Sequence, residues 1–214
     1  LSQGETAYLA FRDGTLAGGY SVEKLNLSRG EGLLPCGGIA GVAVLPEHRQ
    51  GGIATDLMRY SLEQMREQGF VIAALYAFRD SYYRKFGYEV AGRRWEIKCP
   101  QARFPDYKVE MPVRKLEASE VMALDPAYRA FCKTSSGGHL RSEEDWKHRL
   151  GKKPPMIYAV GEPVQAYFWT GMDGWFWEDL RLGEVAWANL DAYKNLLGVL
   201  HGLISNRTSL TWYE

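Results

Sequence analysis

Two short stretches of this chain hold residue types that could do chemistry. The first is Val42-Ala43-Val44-Leu45-Pro46-Glu47-His48-Arg49-Gln50-Gly51-Gly52-Ile53-Ala54. An apolar run ends at Pro46, and a glycine turn opens a helix-like pattern. The first amides of a helix have no internal acceptor, and the helix dipole adds partial positive charge there. Gly51 and Gly52 let the backbone approach a bulky anion, because no Cβ intervenes. Arg49 adds a cation with several donors. Such a turn suits a pyrophosphate. On its own, R-x-x-G-x-A also fits a plain turn carrying a solvated arginine. No Lys-Ser/Thr follows the second glycine, and the glycine spacing is not that of the dinucleotide-binding fingerprint.

The second stretch is Ser81-Tyr82-Tyr83-Arg84-Lys85-Phe86-Gly87-Tyr88. Its two adjacent phenols are as well explained by packing as by proton transfer. Phe86 and Tyr88 are expected to pack and Gly87 to close a short helix. His48, His139, His148 and His201 show no ligand spacing, so no metal is expected. Cys36, Cys99 and Cys132 cannot all pair and none sits in C-x-x-C, which fits a reducing, cytoplasmic setting. Cys36, on the strand beside the first stretch, needs no role beyond packing.

The elements that would position these residues follow from the pattern. Thr6–Arg12 alternates into Asp13-Gly14, a strong hairpin signal, and Leu16–Leu27 is the partner strand. Leu33–Leu45 is nearly continuously apolar and predicts a strand buried on both faces. From Gly52 to Gln68 the apolar residues recur at three and four, an amphipathic helix ended by Gly69. Val71–Phe78 predicts a buried strand, Ser81–Phe86 a short helix, and Glu89–Cys99 an alternating strand. A connector from Pro100 to Pro112 then changes the composition: six of the seven tryptophans follow it. Beyond a helical middle segment, Ser142 with Asp145 reads as a capping box. Strands are predicted over Met156–Val160, Val164–Thr170 and Trp175–Leu182. Asn189 caps a helix over Leu190–Ile204, and Ser209–Tyr213 closes as a strand. Both halves thus run three antiparallel-type strands, one long helix and one strand. Two domains are expected, 1–103 and 104–214, in a mixed α/β class with mostly antiparallel sheets and flanking helices.

The 214 residues suffice for a sizeable core. Lys+Arg 26 and Asp+Glu 26 cancel, which disfavours a nucleic-acid or anionic-membrane binder. No apolar run reaches the roughly 18 residues of a membrane span, and the first residues carry no signal-peptide pattern. The chain opens with Leu1 and stops at Glu214 directly after a strand pattern, so an excerpt of a longer protein is expected.

Together, Val42–Ala54 and Tyr83–Tyr88 resemble the GNAT acetyltransferase superfamily, whose acyl-CoA motif is V-x-V-x-P-x-x-R-x-x-G-x-A and whose later segment is Y-x-K/R-F-G-Y. Y-R-K-F-G-Y, the W-x-x-R-L of Trp146–Leu150 and the Trp-rich second half resemble its Eis-like branch, which fuses two GNAT-like domains to a sterol-carrier-like domain. The resemblance implies that the backbone around Val42 and Val44 binds the pantetheine arm and polarises the thioester. It implies that Arg49 and the amides of Gln50, Gly51, Gly52, Ile53 and Ala54 hold the pyrophosphate of acetyl-CoA, and that Tyr83 protonates the departing thiolate. A phenol near pKa 10 and a thiol near 8.5 are roughly matched for that transfer.

Three departures stand out. Gln50 sits where relatives often carry a second Arg, the elements that precede the usual hairpin are absent, and Leu33–Leu45 holds no carboxylate to act as base. Eis-like enzymes use their own C-terminal carboxylate, a role not assigned to Glu214. The second half reads Glu184-Val185-Ala186-Trp187-Ala188-Asn189-Leu190 at the matching junction, so no cofactor is expected there. Trp169, Trp175 and Trp177 are expected to pack, and this half to shape the acceptor cleft. The implied activity is acetyl transfer to a primary amine of aminoglycoside, polyamine or lysine type, in a homo-oligomer. Two other readings remain: a non-catalytic acyl-CoA-binding or sensing module, and an assembly domain.

Overall fold

The computed structural model describes residues 5–171 and 178–213. They fall into two compact units. The first reaches to Gly92 and takes in Ser136–Leu140, and the second holds Arg93–Ser135 and the chain from Arg141.

In the first unit, β1 (Glu5–Arg12) and β2 (Thr15–Arg29) form a hairpin. Asp13 and Gly14 take φ of 49° and 77°, the two left-handed residues that a tight hairpin turn needs. β3 (Gly32–Val44) pairs antiparallel with β2. A 3-10 turn at Pro46–His48 leads to α1 (Ile53–Glu67), and β4 (Ile72–Leu75) returns parallel to β3. α2 (Asp80–Arg84) follows. The sheet order is β1-β2-β3-β4. α1 lays Leu57, Met58 and Met65 against Tyr20, Val22 and Ile39.

Two expectations need correction here. β3 is not buried along its length: only Cys36, Gly37 and Ile39 are, because α1 covers the middle of the strand, with Met65 seated over Gly37. The expected strand Val71–Phe78 contracts to Ile72–Leu75, since pairing with β3 ends there, and Tyr76 and Phe78 are exposed. Ser136–Leu140 joins this unit through backbone bonds to the far end of β2. Ser28 N donates to Gly138 O and Gly137 N to Ser28 O, both at 2.8 Å.

The second unit is a six-stranded sheet with order β5-β10-β9-β8-β7-β6. Its elements are β5 (Glu96–Pro100), β6 (Val113–Leu116), α3 (Asp125–Lys133), α4 (Glu143–Leu150), β7 (Met156–Val160), β8 (Ala166–Thr170), β9 (Leu180–Trp187), α5 (Leu190–Leu203) and β10 (Ser209–Tyr213). Of the expected strand Glu89–Cys99 only the last part forms, as β5, and it pairs with β10. β5 therefore belongs to the second compact unit.

The connector 100–112 packs on α5. The Asn195 amide oxygen accepts from the Glu110 and Met111 amides at 2.6 and 2.9 Å, and Gly198 leaves room for the Tyr107 carbonyl. β9 runs on to Trp187, past the expected end at Leu182, because its last residues pair with β8. Trp169 is buried core; Trp175 and Trp177 lie outside the described residues. The segment β7-β8-β9-α5-β10 repeats the order and pairing sense of β1-β2-β3-α1-β4. Each half is thus a mixed sheet with helices, and the duplication of order holds.

Candidate functional site

The end of β3 is shaped by a bulge. Gly19 pairs with Ala43 but Ser21 with Ala40, so Gly41 and Val42 both oppose Tyr20. Gly41 takes φ 62°, a conformation that a side chain resists. Parallel pairing with β4 ends one step earlier, at Ile39↔Leu75. Ala40–Val44 therefore run on with no partner strand at their outer edge among the described residues. An extended polar ligand can add to such an edge as a strand does.

The chain then turns through Pro46–His48 into the glycine loop. Arg49, Gln50, Gly51 and Gly52 are exposed, and Ile53 and Ala54 half-buried. Gln50 and Gly52 take φ of 68° and 84°, either side of Gly51. Arg49 before them is extended, so the two left-handed residues lie between strand-like backbone and the start of the helix. Gly52 is the N-cap of α1 and no side chain caps it. The amides of Ile53 and Ala54, at the first helical positions, have no helical carbonyl to reach. Arg49 Nε donates to Val44 O at 3.2 Å, which ties the cation to the strand end.

Arg12, at the end of β1, carries no motif in the sequence. Its Nη2 donates to Gly51 O at 3.5 Å. A Cβ at Gly51 would stand 2.5 Å from Arg12 Nη1, so the guanidinium lies directly against the loop. Nothing local signals this. Only the register of the hairpin, with Gly18 opposite Val44, brings the turn end beside the loop.

Tyr83 is buried on α2, with 6 % of its surface exposed. Tyr82, Phe78 and Tyr88 meet it edge-on at centroid distances of 5.1, 5.6 and 6.2 Å. Burial, and then Tyr82 beside it, push its phenol above the ordinary value. α2 is short and is closed by Gly87, φ 89°. Phe86 N and Tyr88 N both return to Tyr83 O, at 2.9 and 3.4 Å. Tyr83, Val42, Val44 and Ile53 belong to one apolar core. The residues singled out in the sequence are therefore gathered in one unit. Cys36 is buried behind them, with its thiol pushed up by burial. Glu214 lies outside the described residues.

The second unit arranges the same junction differently. β9 has its own bulge, since Trp169 pairs with Glu184 but Thr170 with Leu182. Its parallel pairing with β10 likewise ends just before, at Arg181↔Thr211. Past the bulge, however, Glu184 receives Arg141 through two bonds of 2.7 and 2.6 Å, Tyr167 at 2.7 Å and Arg149 at 3.3 Å. The buried Arg141 stacks on Tyr128 and Trp146, 4.1 and 4.5 Å from their centroids. Burial opposes its charge, yet Glu184 holds its pKa above the ordinary value. At the helix start, Asn189 Oδ1 accepts from Ala192 N at 2.9 Å. Among the described residues no group of three or more His, Cys, Asp or Glu is placed to hold a metal ion.

Residues 1–91 match the family model described as Acetyltransferase (GNAT) domain. An N-acetyltransferase Eis from Mycobacterium tuberculosis is 28% identical over 132 residues, which cover 58% of this chain and 33% of that protein. A probable N-acyltransferase from Enterococcus faecalis superposes with a TM-score of 0.87 at 19% identity, covering 99% of this chain and 55% of that one. Eis1 from Mycobacterium abscessus superposes with 0.78 at 20%, covering 96% and 55%. The chain therefore spans about a third of the curated relatives it matches and about half of these solved chains. The structural likenesses show a shared fold across both units.

Proposed function

We propose, from the premise that residues 1–91 carry a GNAT acetyltransferase domain, that the first unit binds acetyl-CoA and transfers its acetyl group to a primary amine. The observation that carries this reading is the β3–α1 junction. Among the described residues, a strand edge without a partner strand beyond Ile39 leads straight into an exposed glycine loop, and no side chain caps the helix that follows it.

In this reading the diphosphate sits on the loop amides of Gln50–Ala54, with Arg49 supplying charge. The pantetheine arm adds to the edge at Val42–Val44. A strand amide there donates to the thioester oxygen and stabilises the oxyanion that forms on attack. The amine nitrogen bonds to the acetyl carbon, the C–S bond breaks, and the thiolate takes the proton of Tyr83 Oη. The proton that the new amide nitrogen sheds returns to the phenolate through solvent. A phenol holds its proton at neutral pH, which is the state a general acid needs, and burial raises Tyr83 further. The nucleophile must arrive as the neutral amine. β3 offers no carboxylate to deprotonate it. That fact favours one other reading, a module that binds acyl-CoA without turning it over.

Titration calorimetry with acetyl-CoA, paired with a thiol-release assay on a panel of diamines, aminoglycosides and lysine peptides, tests both readings. Binding with amine-dependent thiol release supports the transferase. Binding without release supports the second reading, and absence of binding removes both.

A further inference from the structure

The loop reading leaves one charge unaccounted for. A diphosphate carries two negative charges, and Arg49 is the one cation within the loop motif, since Gln50 follows it. The structure brings a second guanidinium to the same place from another element. Arg12 lies on the first strand, 39 residues before Gly51, and its side chain spreads over that residue. Nη1 and Cζ stand 2.5 and 3.3 Å from where a Gly51 Cβ would be. Any residue but glycine at 51 would displace it.

Arg12 is exposed and makes no ion pair among the described residues. Its one hydrogen bond is long and runs to a neutral carbonyl, a contact that is weak beside a charge-assisted one. The planar fork thus keeps most of its donors for an anion held by the loop. Arg49, tied to Val44 O, approaches from the strand end, and Arg12 from the hairpin end.

We propose that Arg12 is a second diphosphate-binding cation for acyl-CoA, occupying through the fold the role that Gln50 leaves empty in the motif. The inference rests on the acetyl-CoA reading above. It assigns Arg12 to the diphosphate rather than to the 3′-phosphate, because the guanidinium contacts the loop itself.

The test is calorimetric titration of the full chain with CoA and with 3′-dephospho-CoA, at one fixed salt concentration. Arg12→Ala is expected to weaken both ligands about tenfold, the loss of one charge-assisted contact. Arg12→Lys should recover part of this, because the charge stays while the fork is lost. Arg29→Ala, which removes an equal charge at the far end of β2, should bind like the wild type. Should Arg12→Ala be poorly folded, Arg12→Gln keeps the reach of the side chain without its charge and should show the same loss.

Wild-type protein that fails to bind CoA overturns the acetyl-CoA reading and this inference with it. Wild-type binding that Arg12→Ala leaves unchanged overturns only the role of Arg12. A loss seen with CoA but not with 3′-dephospho-CoA overturns the assignment to the diphosphate. A loss of equal size in Arg29→Ala overturns it as well, by reducing the effect to net charge.

Discussion

The two units build the same junction and then treat it in opposite ways. In each, an antiparallel strand bulges just after its parallel pairing ends, and a helix begins beyond it. In the first unit a long glycine-bearing segment separates strand from helix, and the helix start carries no side-chain cap. In the second, Asn189 caps the helix almost directly after the strand, and the residue past the bulge is Glu184, bound by Arg141. The first helix start is left without a side-chain acceptor, whereas in the second Asn189 accepts from Ala192 N. With glycine at the N-cap, the missing side-chain bond costs a few tenths of a kcal/mol relative to an asparagine cap. That cost makes sense at the first junction if a ligand recovers it, and the second junction avoids it.

This contrast can be broken or sharpened by experiment. Tyr83→Phe should have the largest effect, lowering amine-dependent thiol release by roughly 10²–10⁴-fold while the acetyl-CoA titration stays close to wild type. Unchanged turnover would remove Tyr83 from the chemistry and assign the proton donor to another group.

Next in size is Arg141→Ala. It leaves Glu184 buried without its main partner, which should cost about 3–5 kcal/mol of stability in the second unit. Urea unfolding followed by tryptophan fluorescence would show it. Replacing both partners, as Arg141→Met with Glu184→Leu, should recover much of the loss. A double variant as unstable as the single one would mean that the pair does more than fill space.

A paired substitution at the two junctions follows. Arg49→Ala should weaken CoA binding about tenfold or more with little change in melting temperature. Asn189→Ala should lower stability by about 1 kcal/mol and leave CoA binding alone. Exchange of these outcomes would refute the distinction between an open and a closed junction.

The smallest effect near neutrality is shared by both units. Burial raises the phenols of Tyr20, Tyr83 and Tyr88 in the first, and of Tyr128 and Tyr167 in the second. The unfolded chain ionises its phenols near pH 10 and the folded chain only above that. The stability they contribute is therefore fully present below about pH 10 and is lost as the pH climbs through the raised values. Denaturation followed from pH 8 to 12 should be flat at first and then fall. A decline beginning below pH 9 would point to other groups.

Much of this arrangement is legible in the sequence because its causes are local. Asp13-Gly14 specifies its turn by conformational permission at two adjacent residues. The apolar spacing of 53–65 specifies one helix face. Ser142 with Asp145 and Asn189 with Ala192 are caps whose donor and acceptor lie three residues apart. The strand–glycine loop–helix at Val42–Ala54 is likewise contained in one short run, so residue order alone marks out the candidate loop.

What only the tertiary structure decided are contacts across long sequence separations. The placing of Arg12 on Gly51, the pairing of β5 with β10, the addition of Ser136–Leu140 to β2 and the union of Arg141 with Glu184 are of this kind. So is the extent of β3 burial, which composition overstated. An arginine or glutamate is chemically the same in a solvated turn as in a buried pair. Its surroundings are set by strand register, bulges and which surfaces are left to cover it, and these emerge only when distant segments have settled against one another.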